Sequence, residues 1–198
     1  MNLDYYFPTP VWWTDTTFDN TDLLKLYNDL RTKDPVGAEL SNFGGWQSKS
    51  FAHNEFNCTL QISDLILNQG SRILSDYGLE PTCHVLEMDN MWFNCNKGKD
   101  INQVHIHGGS DFSGVYYLSA PEGSGDIVFY KNYHEEFFTN SLGNNFERIT
   151  PVSATVAKYP SKNKRLILFP SNLQHGVLPS STERERISIS FNIKVKHV

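Results

Sequence analysis

The 198-residue sequence predicts a mainly β fold with flanking helices, of the jelly-roll type, and three observations carry that prediction. From Cys83 onward, apolar and polar residues alternate with period two in eight short runs. Turn signals rich in Gly, Pro and Asn separate those runs, and two stretches of helical periodicity precede them. Aromatic residues make up 13% of the chain, a content that strands accommodate well. Eight short strands behind a helical preface point to a jelly roll or related barrel.

Taken in order, Phe7-Pro8-Thr9-Pro10-Val11-Trp12-Trp13-Thr14 reads as an extended entry segment, because two prolines hold it out of helix. Leu23, Leu26, Tyr27 and Leu30 then recur at helical spacing, with Thr21 or Asp22 placed to cap and Pro35 to stop. Residues 36–57, rich in Gly, Ser and Asn, read as a loop anchored by Trp46 and Phe51. A second helix is expected from about Ser63 to Tyr77, where Leu65, Ile66, Ile73, Leu74 and Tyr77 share a face and Gly78 ends it. Residues 1–80 thus make an extended and helical brace, and 83–198 the β core, of a single domain spanning 1–198. The expected strands are Cys83–Asn94, Gln103–His107, Ser113–Ser119, Asp126–Tyr130, Ala154–Tyr159, Arg165–Phe169, His175–Leu178 and Ile187–Val195. One long interruption, Lys131–Thr150, is expected to be a lid or binding loop.

Composition narrows the function. Seventeen Lys and Arg against 22 Asp and Glu give a net charge of −5 with no basic stripe, which disfavours nucleic acid and anionic membrane as partners. No apolar run reaches membrane-spanning length, and the first eight residues lack the basic and apolar regions of a signal peptide. Cys58, Cys83 and Cys95 form no CxxC pair and are odd in number, so a reducing, cytoplasmic location is expected. The apolar, proline-punctuated N-terminus is a candidate homodimer contact.

The chemistry concentrates in Val104–Leu118. His105 and His107 share a face if their segment is a strand, which is half of a metal site. His175, just past Pro170 at the start of a later strand, offers the third ligand. In a double-stranded β-helix, strands distant in sequence lie side by side, so three such histidines can cap one face of an ion and leave the other open. His53, His134 and His197 stand alone and read as surface or core residues, and His84 at a strand start reads as structural. The final strand, Arg186-Ile187-Ser188-Ile189-Ser190-Phe191-Asn192-Ile193, is apolar at odd and polar at even positions. A solvated polar face is the plain reading. Downstream of a ligand histidine, however, the Arg186 fork with the Ser188 hydroxyl can hold a carboxylate bidentately. Arg184, between Glu183 and Glu185, reads as a solvated turn.

Together, His105-Ile-His107, Ser113-Gly-Val-Tyr-Tyr-Leu, Phe169-Pro-Ser-Asn-Leu-Gln-His175-Gly-Val and Arg186-Ile-Ser-Ile-Ser-Phe-Asn resemble the 2-oxoglutarate/Fe(II)-dependent oxygenases, in particular a prolyl-hydroxylase-like branch of bacterial and phage proteins. The opening Phe7-Pro-Thr-Pro-Val-Trp is similar to that branch as well. The resemblance implies an Fe(II) dioxygenase that uses O₂ and couples oxidative decarboxylation of 2-oxoglutarate to hydroxylation of a small-molecule or peptide substrate. It implies His105 and His175 as ligands. Position 107, where the family carries the carboxylate of an HxD/E motif, is histidine here. Either the iron has three histidines, or Asp111 supplies the carboxylate, or His107 only lines the site. Arg186, Ser188 and Tyr117 would bind the distal carboxylate of 2-oxoglutarate, with Asn94 able to bond the co-substrate and Trp92 lining the pocket.

Two other readings compete. His105-x-His107-x₃-Asp111 with Pro170-x-Asn172-x-x-His175 also resembles the two motifs of a metal-dependent cupin, which would be an isomerase or a dioxygenase that needs no 2-oxoglutarate. That alternative gives Arg186 and Ser188 no work, and Leu118 and Asn172 stand where its motifs carry glycine. A non-catalytic β-sandwich binding module would make the histidines incidental.

Overall fold

The computed structural model describes residues 7–131 and 148–198. In chain order the elements are β1 (Trp12–Asp15), α1 (Thr21–Lys33), β2 (Asn42–Phe43), β3 (Trp46–Gln47), α2 (Asn57–Asp76), β4 (His84–Asn96), β5 (Ile101–His105), β6 (Phe112–Ser119), β7 (Ile127–Tyr130), β8 (Val156–Tyr159), β9 (Arg165–Pro170), β10 (His175–Val177) and β11 (Arg186–His197). They form two antiparallel sheets, β1-β9-β6-β11-β4-β3 and β2-β5-β10-β7-β8, in the arrangement of a double-stranded β-helix. The expected lid or binding loop at Lys131–Thr150 falls largely outside the described residues.

Alternation along β4, β6 and β11 divides the larger sheet into two faces. One face carries Met91, Phe93, Tyr116, Ile189 and Phe191, which join Leu23 and Tyr27 of α1 and Ile62, Ile66 and Ile73 of α2 in one buried cluster. The brace is therefore held by hydrophobic burial. The other face carries polar residues in register. Tyr117 pairs with Ser188, Ser188 with Asn94 and Asn94 with Gln47; two steps of β11 away, Ser113 pairs with Asn192 and Asn192 with Asn90.

The helices differ from expectation at their starts. Thr21 is the first residue of α1, not its cap: Asp19 Oδ1 accepts both the Thr21 amide and hydroxyl at 3.0 and 2.7 Å. Asn20 occupies the cap position and turns its side chain to β6, donating to Leu118 O at 2.9 Å and accepting from Tyr116 at 2.9 Å. Helix α2 begins six residues before Ser63 because two buried polar residues interrupt its apolar stripe. Thr59 donates its hydroxyl to the Phe56 carbonyl and Ser63 to the Thr59 carbonyl, so both are satisfied within the helix. The loop at 36–57 contains the short strands β2 and β3, and its two anchors Trp46 and Phe51 are buried.

Candidate metal centre

Strand β10 lies between β5 and β7, with His175 opposite His105 and Phe129. Gly176 makes that approach close: a Cβ there would sit 3.0 Å from the Asn102 carbonyl oxygen. Strand β5 ends at His105, so His107 reaches the site from the connection beyond it and not through strand alternation. The chain turns directly afterwards at Gly109, whose φ of +86° suits glycine. The outcome is convergence. One ligand nitrogen each from His105, His107 and His175 lies within 4.8 Å of the others.

Every Nδ1 in this cluster has an oxygen acceptor. His105 Nδ1 donates to Gln103 O at 2.7 Å and His175 Nδ1 to Leu173 O at 2.8 Å. His107 Nδ1 lies 2.6 Å from Asn192 Oδ1 and 3.1 Å from Ser113 Oγ. A proton held on each Nδ1 leaves each Nε2 as a bare lone pair. The Nε2 atoms of His105 and His107 are 3.1 Å apart, and with both protons on Nδ1 they offer two lone pairs to one point. Burial keeps the His107 and His175 rings neutral. It holds His175 far below the usual histidine range, at about 3, against its bond to the Leu173 carbonyl, and the neighbouring imidazoles add to the effect. Burial also lowers His107, opposed by its bond to Asn192. A cluster of neutral nitrogen donors with fixed tautomers fits a divalent transition metal such as Fe(II).

The same cavity, about 580 Å³, runs from the histidines to Arg186 and is also lined by Tyr117, Ser188, Asn94 and Trp92. Arg186 is 2% exposed. It donates to the Gly125 carbonyl and, at 2.9 Å, to Asn96 Oδ1, while its Nε finds no acceptor and no described carboxylate forms an ion pair with it. A buried guanidinium in that condition calls for an anion. Tyr117 lies against it, with 5.9 Å between guanidinium and ring centroid, and burial pushes its hydroxyl up to about 12. Asn94 donates to Ser190 at 3.0 Å, and Trp92 stands 5.5 Å from the His107 ring, centroid to centroid.

Asp111 is not at the cluster. Its Oδ2 accepts the Val195 amide at 2.8 Å, and its side chain is exposed on the β6–β11 side. His84 and His197 pack on each other with 5.2 Å between centroids, and His53 offers its carbonyl to Thr59 near the start of α2. His134 lies outside the described residues. Sequence reasoning missed Asn96, which holds Arg186, and Asn90, Ser113 and Ser171, which lie behind His107. The available signal was the spacing Asn90-x-Trp92-x-Asn94-x-Asn96, a polar-capable face along a strand.

A histidine cluster that could hold a metal ion and a buried guanidinium with no described counter-charge face one β-helix cavity. Residues 90–192 match the family model described as "Putative 2OG-Fe(II) oxygenase". The chain belongs to this family of 2-oxoglutarate-dependent Fe(II) oxygenases, whose cofactors are Fe(II) and 2-oxoglutarate. No curated protein matches it. Among solved structures it is similar to a Pseudomonas putida prolyl-4-hydroxylase, with a TM-score of 0.57, 16% identity, and 93% of this chain and 92% of that one covered. It is similar to a viral collagen prolyl hydroxylase from Paramecium Bursaria Chlorella virus-1 in complex with 2-oxoglutarate, with a TM-score of 0.56, 17% identity, and 92% and 94% covered. A Trichoplax adhaerens prolyl hydroxylase in complex with a hypoxia inducible factor oxygen degradation domain peptide fragment gives a TM-score of 0.61 at 18% identity, with 93% and 83% covered. At these identities the likeness is one of fold.

Proposed function

We propose that the chain hydroxylates a peptide or small molecule, with His105, His107 and His175 as three neutral iron ligands and Arg186 as the anchor of 2-oxoglutarate. One observation carries this reading: the histidine cluster and the buried, unpaired guanidinium share a single cavity. Bound there with 2-oxoglutarate, Fe(II) supplies the activation of O₂, so that the keto acid, O₂ and a C–H bond become succinate, CO₂ and C–OH.

The chain's own residues bind and orient. Leu173 and Gln103 carbonyls and Asn192 set the tautomers that aim the three Nε2 atoms. Arg186 takes the distal carboxylate with its free Nε hydrogen, and Ser188 and Tyr117, cross-strand neighbours, offer hydroxyls to the same group. Asn94, next in that row, bonds the co-substrate nearer the metal. Phe169, whose ring centroid is 4.6 Å from that of His175, excludes water from the back of the cluster. Asp111 stays on the Val195 amide and takes no part.

Succinate formation tests the proposal. Purified protein with Fe(II), ascorbate, O₂ and 2-oxoglutarate is expected to release succinate slowly without added substrate, and His175→Ala and Arg186→Ala are expected to be silent. Iron binding at the histidines with no binding of 2-oxoglutarate would overturn it in favour of a cupin-type enzyme. Absence of metal binding would leave the binding module.

A further inference from the structure

Behind His107 lies a group of polar side chains that the mechanism above uses only at its tip. Asn192 Oδ1 sits 2.6 Å from His107 Nδ1 and accepts the Ser113 hydroxyl at 2.7 Å. Asn192 Nδ2 donates to Asn90 Oδ1 at 2.9 Å, and Ser113 Oγ lies 2.8 Å from Ser171 Oγ. Ser113 and Ser171 are fully buried and Asn192 is nearly so. The three strand residues are direct cross-strand neighbours on β6, β11 and β4, so backbone pairing fixes their spacing.

We infer that Asn192 is the positioning residue that makes a metal ligand of the histidine standing where the family carries a carboxylate. A carboxylate ligand carries its own charge and has no tautomers. An imidazole at that place must be held with its proton on Nδ1, or its Nε2 presents N–H to the metal and binds nothing. Asn192 meets that need in the orientation its amide takes here, with Nδ2 donating to Asn90 Oδ1 and Oδ1 accepting the Ser113 hydroxyl. A flip would give up the donation to Asn90, set Nδ2 against the Ser113 proton, and aim N–H at His107 Nδ1. The Oδ1 that remains can only accept, so the proton belongs to His107 Nδ1. With the proton there, the His107 Nε2 that lies 3.1 Å from His105 Nε2 is left as a lone pair.

This inference rests on His107 being a ligand, so the experiment separates the two claims. Anaerobic Co(II) titration of the full chain, followed by calorimetry and by the cobalt visible spectrum, reads metal binding without turnover. His107→Ala comes first and is expected to weaken Co(II) and alter the spectrum. Asn192→Leu is expected to weaken Co(II) about 10- to 100-fold, Ser113→Ala less, and Asn192→Asp, which keeps the acceptor, to retain near wild-type affinity. In the His107→Ala background, Asn192→Leu is expected to change affinity by no more than about twofold. If Asn192→Leu fails to fold, Ser113→Ala carries the comparison in both backgrounds. Loss on His107→Ala with none on Asn192→Leu or Ser113→Ala overturns the positioning role alone. Equal loss in both backgrounds overturns it as well, since the effect then bypasses His107. No loss on His107→Ala removes the three-histidine reading and this one with it.

Discussion

Replacing Arg186 with methionine moves two measurements in ways a structural arginine would not. Among the described residues, the guanidinium makes two hydrogen bonds, to Gly125 O and Asn96 Oδ1, and its Nε finds no acceptor at 2% exposure. Arg186→Met strands two acceptors, at about 1–3 kcal/mol each, but removes a buried, unpaired charge whose desolvation costs several kcal/mol. The terms oppose, so the apo protein's unfolding free energy changes by no more than about 2 kcal/mol. Binding of 2-oxoglutarate has no such offset. The charge-assisted hydrogen bond from Nε, at about 1.5–3 kcal/mol, amounts to a loss of about 10- to 150-fold in affinity. Calorimetry of 2-oxoglutarate into Ni(II)-loaded protein reads the second quantity and urea unfolding the first. Wild type gains thermal stability on adding 2-oxoglutarate, and the variant's melting curve stays flat. Arg186→Lys, a point charge without the fork, falls between. An Arg186→Met protein that binds 2-oxoglutarate within about threefold of wild type, or that unfolds outright, would refute the assignment.

Tyr117→Phe removes a hydroxyl that bonds no described residue, so unfolding is expected to be unchanged while 2-oxoglutarate binding weakens by about 0.5–1.5 kcal/mol in the same calorimetric assay. Gly176→Ala inserts a methyl group 3.0 Å from the Asn102 carbonyl oxygen; about 1–3 kcal/mol of destabilisation and weaker Co(II) binding are expected, since β10 moves off β5 and takes His175 with it. Asp15 joins β1 to β9 through Arg165 at 2.8 Å and Lys162 at 2.7 Å, and chiefly the Arg165 bond holds its carboxyl at about 2, below the usual 3.8. A depressed acid stabilises the fold above its unfolded value and ceases to as pH falls through its folded one. Asp15→Ala is therefore expected to cost about 1 kcal/mol at neutral pH, discounted because the site is a third exposed, with the difference from wild type fading from pH 3.8 toward 2 in acid unfolding curves.

The strands were legible because their period survives burial on either face. The polar face of β11 shows both the power and the limit of that signal. Alternation from Arg186 to Asn192 predicted the face but not what it meets, since a solvated face and a cavity wall share one pattern. Histidine spacing was legible for the wrong local reason. His105 and His107 converge although β5 has already ended, because past the strand's end the His107 amide bonds the Ser171 carbonyl and its Nδ1 bonds Asn192. The start of α2 was illegible because Thr59 and Ser63, buried and bonded to their own helix, look like loop residues to a hydrophobicity pattern. Partners such as Asn96 for Arg186 lie 90 residues away in sequence, and only the pairing of β4 with β11 makes them neighbours.

That pairing also explains how one cavity holds two different charges. His105 and His175 stand on the smaller sheet, whereas Arg186, Ser188, Tyr117 and Asn94 stand on the larger one. The histidine cluster and the Arg186 guanidinium therefore belong to different layers, and their separation depends on how the sheets are held together. His107 crosses between them: its ring follows the smaller sheet's β5, and its Nδ1 is bonded to Asn192 of the larger sheet's β11. A carboxylate at position 107 could have bound metal without that tie. With histidine there, and His107 a ligand as proposed, orienting that ligand and fixing the smaller sheet against the larger are the same hydrogen bond, so a change that loosens the sheets is expected to be felt first as a change in metal affinity.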